Sequence, residues 1–146
     1  MADVRRVSDA FAVSPQIRPE EVATLGERFA TIINNRPDGE DPDQPTHAQL
    51  EAAAKAAGVG YEHIPIAGPP TADQVRAMRE ALSYSTGPAL AFCRGGSRSI
   101  TVWALGEAMA GEPVEQLQAQ AQAAGYDLGP ALVSLLPRLR MQSGGG

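Results

Sequence analysis

The sequence predicts an α/β fold in one compact domain. Short runs of β-branched and apolar residues alternate with helical patterns, and Gly, Pro and polar residues punctuate the joins. The size agrees: 146 residues, 43% of them hydrophobic, can bury one core without disulfides or metals. Strands separated by helices pair in parallel through right-handed crossovers, so a small parallel-sheet α/β sandwich is expected.

Taken in order, residues 5–7 and 11–14 read as two short strands around Ser8-Asp9. Pro19-Glu20-Glu21 opens a helix that runs to Leu25, because proline suits the first helical position and carboxylates suit the positive end of the dipole. Residues 29–34 form a buried strand. The loop 35–45 carries three prolines and several acids and is irregular. A helix over 46–57 stops at Gly58, and 61–66 is a strand that Gly68-Pro69-Pro70 breaks. Thr71 caps the next helix, to about Ser83, with Gln74 as its capping-box partner. Residues 89–92 are a short apolar strand, 93–97 a tight loop, and 98–110 a helix. Further helices cover 113–124 and 130–140, the last interrupted near Pro137. Residues 1–142 are expected to form the domain, and 143–146 a disordered glycine-rich tail.

The net charge of −5 and the lack of a basic run argue against general nucleic-acid or membrane-surface binding. No transmembrane run and no secretory leader is evident, so a soluble, cytoplasmic protein is expected. One cysteine and two histidines are too few for a closed structural zinc site of usual composition, so no metal or other cofactor is expected.

In such a sandwich the ligand site lies at the carboxyl ends of the strands. There the strand 89–92 delivers Cys93, followed by Arg94-Gly95-Gly96-Ser97-Arg98-Ser99. A glycine turn entering a helix can aim successive backbone N–H groups inward as an anion nest, and the helix N-terminus adds partial positive charge. Both effects favour a thiolate at Cys93. Gly95 and Gly96 permit the tight turn, Arg98 can bind an oxyanion bidentately, and Ser99 can donate to the sulfur. A buried cysteine is commonly only a small hydrophobe, but such a residue needs neither the glycines nor the arginines.

This loop resembles those of cysteine-dependent phosphatases and rhodanese-type sulfurtransferases. Against the phosphatase signature His-Cys-x-x-Gly-x-x-Arg-Ser/Thr, Cys93, Gly96 and Arg98-Ser99 agree in type. Phe92 replaces the histidine, and four residues rather than five separate Cys93 from Arg98. The rhodanese pattern Cys-Arg-x-Gly-x-Arg fits without a gap. Over residues 4–139 the chain is similar to the bacterial beta-lactamase-hydrolase-like family, through Asn35-Arg36-Pro37-Asp38-Gly39-Glu40 and the Cys93–Ser99 loop with Trp103 behind it. That resemblance implies a fold of the dual-specificity phosphatase type. It also implies phosphatase-like or sulfurtransferase chemistry, with a sulfide-oxidation partner protein as one context.

The shorter loop builds a smaller ring of N–H groups, which suits a persulfide on Cys93. A phosphatase also needs a general acid, and after Ile64-Pro65-Ile66 no carboxylate occurs until Asp73. The leading expectation is therefore sulfur transfer from a small anionic donor, through Cys93, to an external thiol or other acceptor. Its alternatives are a phosphatase with Asp38 as acid, and a non-catalytic anion-binding or redox-sensing module. Cys93, Arg98, Asp38 and Ser99 are the candidate catalytic residues. Arg94, Gly95, Gly96, Ser97 and Arg36 are the candidate anion contacts, although Arg36 could equally fix its own loop. His47, His63 and Trp103 read as structural, and Glu40, Asp41 and Asp43 as a solvated acidic loop.

Overall fold

The computed structural model describes residues 2–144. Its elements are β1 (Arg5–Ser8), β2 (Phe11–Ser14), a 3-10 turn (Pro19–Glu21) running into α1 (Val22–Leu25), β3 (Thr31–Asn34), α2 (His47–Ala57), β4 (Gly60–His63), α3 (Ala72–Tyr84), β5 (Ala89–Phe92), α4 (Ser97–Met109), α5 (Val114–Ala123) and α6 (Gly129–Gly144). The five strands form one sheet in the order β1-β2-β5-β3-β4. β2, β5, β3 and β4 are parallel, as expected. β1 is the exception: it joins β2 through a hairpin too short for a crossover, so it pairs antiparallel at the edge.

Alternation along the strands makes the sheet the middle layer of three. Ala12, Ile32, Leu90 and Phe92 face α1 and α2, where Val22, Leu25, Leu50 and Ala54 meet them. Phe11, Val13, Ile33, Ala89 and Ala91 face the other way, onto the core under α3 to α6. Trp103 of α4 belongs to that core, its ring stacked on Phe11 at 5.1 Å between centroids. The central strand β5 is buried along its whole length. Capping boxes start α2 (Thr46 with Gln49) and α3 (Thr71 with Gln74), and Gly58 closes α2 in the left-handed conformation at φ 71°.

Some boundaries differ from the sequence reading for local reasons. β3 starts at Thr31 because the amide of Phe29 still bonds back to Leu25. β4 ends at His63, before the proline at 65. The helix expected over 19–25 divides into the 3-10 turn and α1. α6 is not interrupted at Pro137 but runs through it. Leu128, Leu132, Leu136 and Leu139 are all buried on one side of this segment, and that packing outweighs the missing N–H. α6 also takes in Ser143 and Gly144 of the expected tail; residues 145–146 lie outside the described residues. Among the described residues no helix is long and apolar enough to cross a membrane.

Pro137 leaves the backbone bond to Val133 unmade. Replacing it with alanine should stabilise the fold by about 1–3 kcal/mol, read as a higher urea midpoint at unchanged m-value.

Candidate active site

Register places the site. Ser14, Phe92 and Asn34 are paired across β2, β5 and β3, and Asn34 pairs with His63 of β4. Each strand therefore ends on one line. The residues just beyond it come together: Gln16 after β2, Cys93 after β5, Asn35 and Arg36 after β3, and Ile66 after β4.

Cys93 is fully buried, and its Sγ accepts the backbone N–H of Gly96 at 3.0 Å. The carbonyls of the loop are tied elsewhere. Arg94 O accepts from Gln16 N at 3.3 Å, Gly95 O from the Tyr126 hydroxyl at 2.9 Å, and Gly96 O from Ile100 N at 3.0 Å inside α4. In a planar trans peptide each C=O and the following N–H point in opposite directions. Three carbonyls tied in this way turn the N–H groups of Gly95, Gly96 and Ser97 away from those partners, and that of Gly96 meets the sulfur. This is the anion nest that the sequence suggests. Gly96 is essential to it, at φ 95°, and a Cβ there would run into the Tyr126 hydroxyl.

Arg98 stands over this loop from the first turn of α4. Its Nη1 donates to Ile66 O and to Glu40 Oε2, both at 2.8 Å, and its Nη2 donates to Glu40 Oε1 at 2.9 Å. A guanidinium has five N–H donors in one plane. Apart from the nearby Cys93 sulfur, the Nε–H and the second Nη2–H have no partner among the described residues. These two lie on the same edge, a fork open to an oxyanion. Glu40 occupies only the far end of the group, so it aims the fork and leaves it free. The ion pair with Glu40, and the charge on Cys93, raise the Arg98 guanidinium above its ordinary value.

Glu40 is itself held by a second arginine. Arg36 is 3% exposed; its Nε donates to Glu40 at 2.9 Å, its Nη1 to Gln16 at 3.0 Å and its Nη2 to Asp41 at 2.6 Å. Arg98, and then Arg36, hold the Glu40 carboxyl at about 2, far below its ordinary value. Burial, with the negative charge of Cys93 behind it, pushes the Tyr126 phenol up.

Residues 3–110 match the family described as the beta-lactamase hydrolase-like protein, phosphatase-like domain. The chain belongs to this family. A beta-lactamase hydrolase-like protein of Agrobacterium fabrum is 39% identical over 108 residues, covering 73% of this chain and 25% of that protein. One from Xylella fastidiosa is 34% identical over 140 residues, covering 94% and 32%. The chain thus spans about a quarter to a third of the length of these relatives. Among solved structures, a protein from Neisseria meningitidis Z2491, provisionally named a phosphatase, is 33% identical with a TM-score of 0.79, covering 93% of this chain and 97% of that one. Kinase-associated phosphatase shares the fold at 17% identity and a TM-score of 0.73, covering 100% and 97%. The phosphatase-type fold expected from the loop is the fold observed.

Cys93, Gly95, Gly96, Ser97 and Arg98 lie together in the loop after β5 and the first turn of α4. Arg94 is exposed, its Nε 3.7 Å from Asp41. Ser99 is buried, but its hydroxyl has no hydrogen-bond partner, and the donor to Cys93 is the Gly96 amide instead. Arg36 is buried, and each of its side-chain nitrogens makes one hydrogen bond, to Glu40, Gln16 and Asp41, so it clamps Glu40 and fixes its own loop. Asp38 is exposed. Its Oδ1 accepts the His47 amide at 2.8 Å, at the start of α2. His63 bonds Arg36 O at 3.0 Å and stacks on His47 at 4.3 Å between ring centroids. Glu40, Gln16 and Tyr126 were not legible as site residues. The only signal for Glu40 was its place at the end of the Asn35–Glu40 motif.

Two predictions follow from this geometry. Glu40 is ionised more readily in the folded chain, so its contribution is full above its ordinary value and fades as pH falls towards about 2. Between pH 5 and about 2, the wild-type melting temperature should fall more steeply than that of Glu40→Gln. Gly96→Ala should cost about 1–3 kcal/mol in urea unfolding, and Tyr126→Phe in the same chain should recover part of that loss by removing the obstructing hydroxyl.

Proposed function

We propose that this chain is a cysteine-dependent phosphatase domain acting on small anionic phosphate esters. One observation carries the reading: the Gly96 N–H donates to the Cys93 sulfur at 3.0 Å, at the start of a helix whose first turn brings the Arg98 guanidinium close enough to sense the charge of Cys93. A phosphoryl group seated there has its oxygens met by hydrogen-bond donors while the sulfur faces phosphorus. Cys93 attacks, a phosphocysteine forms, and water releases phosphate in a second step. Arg94, exposed at the rim, adds positive charge along the approach. The family and the phosphatases among the structural neighbours support this reading over sulfur transfer, which the sequence alone placed first.

Sulfur transfer stands as the second reading on one specific observation, the four-residue spacing between Cys93 and Arg98. A paired assay decides. Wild type and Cys93→Ser are incubated with 4-nitrophenyl phosphate, and separately with thiosulfate plus cyanide. Phosphate release that vanishes in Cys93→Ser is the expected result. Cys93-dependent thiocyanate release without phosphate release reverses the order of the two readings. Arg98→Lys keeps the charge but loses the fork, and should lower kcat/KM for the phosphate ester by roughly 100-fold or more.

A further inference from the structure

A phosphate ester with a basic leaving group needs a proton donor on the far side of phosphorus from the nucleophile. Every group near this loop that could serve has its proton or its charge committed. Glu40 is locked as a carboxylate between Arg98 and Arg36. Asp41 is paired with Arg36 at 2.6 Å. Asp38 is turned to the N-terminus of α2, on the Tyr61 side of the sheet, where its charge adds to the burial that pushes the Tyr61 phenol up to about 12. His63 is bonded to Arg36 O and stacked on His47. The Tyr126 hydroxyl already donates to Gly95 O and is held above its ordinary range, which makes it a poor acid. Among the described residues, none of these groups offers a free proton over Cys93.

We infer that the site takes phosphoryl donors whose leaving oxygen departs unprotonated: aryl phosphates of acidic phenols, acyl phosphates and phosphoric anhydrides, rather than alkyl or tyrosyl monoesters. The inference rests on the phosphatase reading above. In the first step the Cys93 thiolate forms the S–P bond while the P–O bond to the leaving group breaks, and the electron pair leaves with that oxygen as an aryloxide, carboxylate or phosphate anion. No proton from the protein is consumed. In the second step water forms a new P–O bond, the S–P bond breaks, the thiolate returns, and the proton of the water passes to the departing phosphate. The anion nest and the Arg98 fork stabilise charge on the transferred group in both steps. A leaving group that is a stable anion compensates for the absent acid.

The test is the dependence of kcat/KM on the leaving group. Wild type, Cys93→Ser and Asp38→Asn are assayed with 4-nitrophenyl phosphate, phenyl phosphate and acetyl phosphate. A general acid ordinarily supplies about 10²–10⁴-fold, so phenyl phosphate should be cleaved slower than 4-nitrophenyl phosphate by roughly that factor, with acetyl phosphate among the good substrates. Asp38→Asn should leave the ratio between the two aryl esters unchanged. Cys93-dependent rates within a few-fold of each other for both esters overturn the inference and keep the phosphatase reading. A selective loss with phenyl phosphate in Asp38→Asn makes Asp38 the acid and also overturns it. Hydrolysis of none of the three substrates in a Cys93-dependent way overturns both.

Discussion

One carboxylate organises the site. Glu40 accepts from Arg98 and from Arg36, and so ties the loop after β3 to the loop after β5. Two guanidiniums packed side by side would repel and would have to be stripped of water; a shared carboxylate between them offsets both costs. The division of labour is visible in burial. Arg36 is almost wholly enclosed, with every nitrogen bonded, to Gln16, Glu40 and Asp41, whereas Arg98 is partly exposed and its Nε is left without an oxygen partner. Removing Glu40 would leave Arg36 with a buried donor unmet and Arg98 free to swing, so the carboxylate is structural and electrostatic at once.

The sheet determines that these groups meet at all. Because β2, β5 and β3 are parallel and in register, the chain leaves each of them on the same line. Cys93 is delivered from β5, a strand buried along its whole length like β2 beside it, and is itself fully buried beneath the loop mouth. α4 begins directly under that mouth, so the helix dipole and the turned peptide planes act on the same point.

Much of this was legible in the sequence. The α/β class, the capping box at Thr71, and the strand-loop-helix around Cys93 all rest on local chemistry, which one sequence carries. What escaped depends on contacts distant in sequence. Glu40 pairs with a residue 58 positions away and Tyr126 with one 31 positions away, and no periodicity reports such meetings. Asp38 and Arg36 were read as facing the site because their loop lies on the right edge. Membership of a loop does not fix which side chains turn inwards, and here the first caps α2 while the second clamps Glu40. Pro137 was read as a break because its local penalty is real; tertiary packing of the leucines around it reverses the outcome.

The family match ends at residue 110, within the turn after α4, yet the phenol that pins the Gly95 carbonyl comes from position 126. The segment that the family description covers therefore stops short of a residue that holds the Cys93 loop. α5, the turn after it and α6 act as an external brace on the Cys93 loop, pressing the tyrosine onto a glycine and covering α4 with leucines. A version cut at the edge of the shared segment would keep every charged group of the site and lose the strut that sets the direction of its peptide planes. In a longer protein carrying this domain, anything that displaced α5 or α6 would reach Cys93 through that strut.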